Sequence, residues 1–187
     1  MKRNQVVLIY GLPASGKYTV AKKIQEKCGG VLLDNHYFYD MFVGITEVTD
    51  ENRYMYFGKV GDVRRAFLNV LRHFYPKQKP TRYIFTSVLL SGEKLPAQLQ
   101  KFARDINADF IPIELNVQRD VLVDRCDTKE RRKRQKLHDK EKYDDLLEKW
   151  LSDAFHSRHV NRIVVNSSEL SPEETFKQIK KHLNKFD

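Results

Sequence analysis

Cysteine is scarce. Cys28 and Cys126 are the two in 187 residues, too few for a disulfide framework and without the spacing of a zinc site. No apolar run approaches the length of about twenty residues that a membrane-spanning helix needs. There is no internal repeat, no interdomain linker and no stripe of interleaved aromatic and basic residues of the kind that binds nucleic acid across a sheet. These absences argue against a secreted stapled domain, a zinc module and an integral membrane protein. Acidic residues are outnumbered, 25 Asp and Glu against 34 Lys and Arg, which leaves a net charge of +9. That excess points to an anionic partner without choosing among nucleotide, nucleic acid and lipid headgroup. With 41% hydrophobic and 32% charged residues the chain can bury an ordinary core, and its length suits one domain over 1–187.

Lys2 and Arg3 ahead of Val6–Tyr10 imitate the opening of a signal peptide. The apolar stretch is short for that role, and a glycine loop with a lysine follows at once, so a buried first strand is expected. Without an export signal the expected compartment is the reducing cytoplasm.

Short β-rich runs alternate with longer helical ones, the pattern of an α/β protein whose parallel sheet is covered by helices. Strands are expected at Val6–Tyr10, Val31–Leu33, Arg82–Thr86, Phe110–Leu115 and Arg162–Val165; several are continuously apolar, as strands buried on both faces are. Helices are expected at Thr19–Lys27, Arg53–Phe74, Leu95–Asp105, Arg119–Arg125, Glu141–Ala154 and Pro172–Phe186. The last opens with Ser171-Pro172-Glu173-Glu174: a cap, a proline at the first helical position and acids in the first turn.

Gly11-Leu12-Pro13-Ala14-Ser15-Gly16-Lys17 fits G-x-x-x-x-G-K between an expected strand and an expected helix, the context this phosphate-binding motif requires. Its glycines let backbone N–H groups turn toward phosphate oxygens, and the helix presents its positive end to the same anion. Lys17 would reach the β- and γ-phosphates of ATP. The next position departs from the motif, because Tyr18 stands where a short hydroxyl normally meets Mg2+. Thr19 follows one residue late and would contact the α-phosphate. Magnesium is then expected to be held through water and a carboxylate from elsewhere.

Ligands of open α/β sheets sit beyond the carboxyl ends of the strands. After the second strand come Asp34, Asn35 and His36. Asp34 could hold a metal-bound water, act as base toward an acceptor hydroxyl, or simply cap the next helix. His36 could orient acceptor or phosphate. Thr86-Ser87 after the third strand supply hydroxyls that are either ligands or a polar strand end.

Taken together and in order, Gly11–Thr19, Asn35-His36, Ile84-Phe85-Thr86, Lys136-Leu137-His138-Asp139, and Asn166 leading to Leu170-Ser171-Pro172-Glu173-Glu174 resemble a shikimate-kinase-like group of small P-loop ATPases. That group belongs to the nucleoside-monophosphate-kinase superfamily. The resemblance spans nearly the whole chain. It implies a three-layer α/β/α core with strand order 2-3-1-4-5, ATP with Mg2+, and a mobile basic lid. It does not imply shikimate, because the glycine triplet that shikimate kinases carry after strand three is replaced by Thr86-Ser87. Adenylate kinases likewise have a non-hydroxyl residue followed by Thr at Tyr18-Thr19.

The segment Arg125–Lys142 holds nine basic and four acidic residues, so half of the excess charge lies in a tenth of the chain. On one continuous helix Arg125, Lys129, Arg132 and Lys136 would share a face. By the resemblance, 125–140 is the lid, Arg125 flanks adenine, and Arg131 or Arg132 reaches the phosphates; otherwise the run is a solvated basic helix. Residues 36–75 take the acceptor-binding place, with Arg64 and Arg65 candidates for an anionic acceptor. Met41 and Trp150 are expected to be packing or surface. The expected function is an ATP-dependent phosphotransferase acting on a small hydroxyl or phosphate acceptor. The rivals are a nucleotide-binding ATPase module with little transfer activity and a nucleic-acid-end kinase.

Overall fold

The computed structural model describes residues 3–42, 45, 47, 52–75, 80–88, 94–133, 138–156 and 161–183. Five parallel strands form one sheet: β1 (Asn4–Gly11), β2 (Val31–Asp34), β3 (Arg82–Val88), β4 (Ala108–Asn116) and β5 (Ile163–Asn166), in the order β2-β3-β1-β4-β5. Register places Ile9 beside Thr86 on one side and Ile113 on the other, while Asp34 pairs with Thr86 across β2 and β3.

Alternation along β1 divides the core. Val6, Leu8 and Tyr10 join Tyr83, Phe85, Leu95, Leu99, Phe102, Leu122 and Leu147 on one face. Val7 and Ile9 join Ile84, Val20, Ile24, Phe176 and Ile179 on the other. Because β1 is central, both sets are fully buried, at about 1.5–3 kcal/mol for each aliphatic side chain. The helices supplying these residues are α1 (Lys17–Cys28) and α8 (Pro172–Leu183) on one side. On the other are α3 (Arg53–Phe74), α4 (Leu95–Asp105), α5 (Arg119–Cys126) and α7 (Lys140–His156). A five-residue α2 (His36–Asp40) and α6 (Lys129–Lys133) complete the chain. The expected layers and strand order are therefore present.

Local chemistry sets several boundaries. Helix α1 starts at Lys17 rather than at the expected Thr19, because Gly16 (φ 87°) turns the chain directly into it. Ser171 and Glu174 form a reciprocal cap at the start of α8: Glu174 N donates to Ser171 Oγ (3.2 Å) and Ser171 N to Glu174 Oε2 (2.9 Å). Strands β1, β4 and β5 extend one or two residues past the expected apolar runs, since ladder pairing continues through their polar ends. The expected tail of the last helix, 184–186, lies outside the described residues.

The basic segment is not one continuous helix. Helix α5 stops at Cys126, and α6 restarts after Asp127-Thr128, where Thr128 Oγ1 accepts from Arg131 N at 3.3 Å. Helix α7 begins under a second side-chain cap, Lys142 N to Asp139 Oδ1 at 3.1 Å. Arg125 thus sits on one helix and Lys129 and Arg132 on another, so the shared face does not exist. Lys136 lies outside the described residues.

Candidate nucleotide and acceptor site

The phosphate loop leaves the carboxyl end of β1, at the centre of the sheet. Gly11 takes φ 154°, and a Cβ there would stand 2.6 Å from the Leu115 carbonyl oxygen, so the loop hugs β4 in a way that only glycine permits. Ser15 N closes a turn on Leu12 O (3.2 Å), and Ala14 adopts φ 65°, uncommon for a residue with a side chain. Lys17 folds back over its own loop, donating from Nζ to Leu12 O (2.6 Å) and to Ser15 Oγ (3.3 Å). The loop thus holds a cation before any anion arrives, with Ser15 buried beneath it. The Tyr18 ring packs against the Val20–Ile24 side of the core, while Thr19 is exposed.

Beyond β2 and β3 the structure joins four of the singled-out residues in one buried chain of hydrogen bonds. The Thr86 hydroxyl donates to Asp34 Oδ1 and accepts from Asn35 N at 3.4 Å. Asn35 Oδ1 accepts from Arg64 Nη1 at 3.0 Å. Asp34 is 2% exposed and Arg64 5%. His36 N reaches Asp34 Oδ1 at 3.5 Å, so Asp34 also touches the start of α2, although Asn35 occupies the cap position. The His36 ring is half-exposed, 3.9 Å from Asp40. Arg65, by contrast, points outward and pairs with Asp62. Phe38 and Phe67, which meet edge to face at 5.5 Å, seat α2 against α3 behind this network.

The third group lies at the ends of β4 and β5. Arg125 Nη2 donates to the carbonyls of Ser167 (3.1 Å) and Ser168 (2.9 Å), fixing its guanidinium on the turn after β5. Ser168 Oγ accepts from Gln118 N (2.9 Å) and donates to Asn166 Oδ1 (2.9 Å), and the same turn borders a polar hollow lined by Gln118, Asn166, Ser168, Glu169, Leu170 and Gln178.

The two arginines expected in a lid differ. Arg132 is exposed and makes a two-pronged pair with Asp127 (2.7 and 2.8 Å), which holds the Asp127 carboxyl below its usual range. Arg131 turns inward: its Nε donates to Cys126 O (2.8 Å), and burial pulls its pKa down. Sequence reasoning missed Tyr143. Its hydroxyl donates to Pro13 O at 2.6 Å across 130 residues, a contact for which the sequence holds no local signal. Ser168 was missed as well, although its place just after a strand could have flagged it.

Among the described residues no three His, Cys, Asp or Glu side chains gather to hold a metal ion. Magnesium does not need such a cage; one or two carboxylates, water and the nucleotide's own phosphates suffice. Asp34 and Thr86 offer the hard oxygen donors that fit this pattern. No described helix is long and apolar enough to cross a membrane.

The chain matches no protein-family model, and no curated protein is detectably similar to it in sequence. Its fold is similar to that of solved structures. A shikimate kinase from Bacteroides thetaiotaomicron superposes with a TM-score of 0.64 at 17% identity, over 96% of this chain and 98% of that one. A sugar kinase from Janibacter sp. gives 0.58 at 16%, over 97% and 95%. A gluconokinase from Sinorhizobium meliloti gives 0.55 at 15%, over 98% and 98%. The shared architecture is a five-stranded parallel sheet of order β2-β3-β1-β4-β5 flanked by helices, the P-loop fold of the shikimate kinase structure.

Proposed function

We propose that the chain is one kinase domain that moves the γ-phosphate of ATP to a small-molecule hydroxyl or phosphate acceptor. The observation that carries this reading is the loop Gly11–Lys17, which turns a left-handed glycine into the start of α1 and keeps the Lys17 ammonium above it. Backbone N–H groups of Gly11, Ala14 and Gly16, in the arc that contains Pro13 and Ser15, would surround the phosphates. Lys17 meets charge that grows as the β–γ bond breaks. Magnesium, when bound, neutralises phosphate charge; Asp34 is the residue that would hold it, through water.

In the transfer step the acceptor oxygen attacks the γ-phosphorus, the bond to the β-phosphate oxygen breaks, and ADP leaves. Asp34 takes the acceptor proton, with Thr86 fixing the carboxylate. His36 and Arg64 orient the acceptor from the segment 36–75. Arg125 flanks adenine beside the Ser167–Ser168 turn. Arg131 and Arg132 in the lid, 125–140, reach the phosphates on closure. The names of the fold neighbours, shikimate kinase, sugar kinase and gluconokinase, support a small-molecule acceptor.

The test is ADP release from ATP and Mg2+ across a panel of sugars, sugar acids, alcohols and monophosphates, beside calorimetric ATP binding. Lys17→Ala should remove about 2–4 kcal/mol of transition-state stabilisation. Undiminished ATP affinity and turnover in that variant would sink the assignment. A second reading, nucleotide binding with little transfer, is favoured by Tyr18, whose ring serves packing where a metal-binding hydroxyl would stand. If it is right, Tyr18→Ser should sharpen magnesium dependence without producing transfer to any acceptor.

A further inference from the structure

Tyr143 is wholly buried, and it holds the phosphate loop at Pro13, next to the Leu12 carbonyl that Lys17 holds. Its hydroxyl donates to Pro13 O, while its ring stands edge to face with Trp150 at 5.5 Å, inside the cluster that holds Leu122, Cys126 and Leu147. The ring is therefore fixed by packing before the loop is considered. Burial pushes the phenol's pKa well up, with the Arg131 charge acting weakly the other way, so the donor keeps its proton at any working pH. Arg131 reaches this neighbourhood from α6 and is itself tied to the Cys126 carbonyl. The end of α5, α6, the start of α7 and the phosphate loop thus meet around one side chain.

The bond falls on the part of the loop that needs holding. Pro13 precedes Ala14, whose left-handed conformation is costly for a residue with a Cβ. Lys17 and the Ser15–Leu12 turn fasten this arc at the Leu12 carbonyl, and Tyr143 fastens it at the Pro13 carbonyl. Helix α7 opens with the last three residues of the basic segment, and Tyr143 lies within its first turn.

We infer that Tyr143 is a positioning residue, which holds Pro13 from α7 so that nucleotide binding at the loop is coupled to the set of the basic segment. This rests on the nucleotide-binding reading above. Without the hydroxyl, part of the nucleotide's binding energy goes into ordering the arc, and apparent affinity falls by the fraction of chains already in the competent form.

The test uses the whole chain as wild type, Tyr143→Phe and Lys17→Ala, titrated with a non-hydrolysable ATP analogue. Calorimetry, thermal unfolding and the emission of Trp150, the single tryptophan, are followed together. Tyr143→Phe is expected to unfold within a few degrees of wild type, to bind nucleotide about fivefold more weakly, as for one lost hydrogen bond, and to lose the nucleotide-induced change in Trp150 emission. A merely structural hydroxyl would lower the melting temperature and leave affinity and emission change intact; that result overturns the inference. If it occurs while Lys17→Ala abolishes binding, the nucleotide reading survives and the role of Tyr143 does not. If the wild-type chain binds no nucleotide, both fall. The wild type alone gives an independent check: Trp150 emission unaltered at saturating nucleotide overturns the coupling, whatever the variant does.

Discussion

Asp34 and Thr86 are register partners on neighbouring strands, and the Thr86 hydroxyl donates to Asp34 Oδ1 where both side chains are buried. The bond fixes the carboxylate at the sheet edge that the phosphate loop also borders. Thr86→Val keeps the shape and removes the donor. A lost hydrogen bond to a buried charge costs about 1.5–3 kcal/mol of stability, measurable by urea unfolding. Turnover should fall about tenfold through misorientation, with ATP affinity little changed. Asp34→Asn should cost turnover about a hundredfold or more, the scale of a lost general base. Turnover in Asp34→Asn equal to wild type would return Asp34 to a helix-capping role.

Gly11 and Gly16 are both left-handed, but for different reasons, and the same substitution should separate them. A Cβ on Gly11 meets the Leu115 carbonyl at 2.6 Å, whereas a Cβ on Gly16 meets nothing within 4 Å. Gly11→Ala must therefore spread β1 from β4 and should lose about 1–3 kcal/mol or more. Gly16→Ala carries only backbone strain, about 1–2 kcal/mol. Equal stability losses in urea titrations would contradict the close approach at Gly11.

Glu173 ties α8 to α1 through Lys27 (2.7 Å) and Lys23 (3.0 Å), and those hydrogen bonds, Lys27's first, hold its carboxyl at about 2 instead of the ordinary 4.5. The folded form binds this proton less readily than the unfolded chain does. The contribution is accordingly complete above pH 4.5 and disappears as pH falls from 4.5 toward 2. Glu173→Gln should melt slightly below wild type at neutral pH, with the gap closing over that window. Because the pair is exposed, molar salt should also shrink the gap. A difference independent of both pH and salt would assign the effect to packing.

Backbone chemistry is what the sequence exposes most directly. Gly11–Lys17 was legible because a strand, two glycines and a lysine at fixed spacing leave few alternatives, and Asp34 because strand ends are where such sheets act. Arg64 and Arg65 are adjacent candidates, and Arg64 is the one placed in the proposed acceptor site. The spacing of four among Val60, Arg64 and Leu68 already put Arg64 on the buried face, and the structure buries all three. The strand order was implied by resemblance, since local pattern does not rank parallel strands. Thr128 and Asp139 are ordinary capping residues that could have marked two separate helix starts within the basic segment. The clasp of Arg125 on the Ser167 and Ser168 carbonyls, and that of Tyr143 on Pro13, join residues far apart in the chain, and no local rule reaches them.

Arg132 is held by Asp127 through both nitrogens of one fork, and the hydrogen bond to Asp127 in turn raises its pKa. A guanidinium so engaged has to leave Asp127 before it can meet a phosphate. Exposed pairs contribute little, so the exchange is inexpensive, as the proposed lid requires. Asp127→Asn should free Arg132 and tighten binding of a non-hydrolysable ATP analogue about two- to threefold, while Arg132→Gln weakens it. Closure should also protect residues 125–142 from protease when the analogue is added. If this charge serves nucleic acid instead, an oligonucleotide should bind at physiological salt with a steep salt slope, because several phosphates are neutralised together. Analogue-dependent protection without oligonucleotide binding is the expected outcome, since the Pro13 contact of Tyr143, next to the end of this segment, reaches the phosphate loop. Oligonucleotide binding without protection would move the basic segment out of the kinase mechanism.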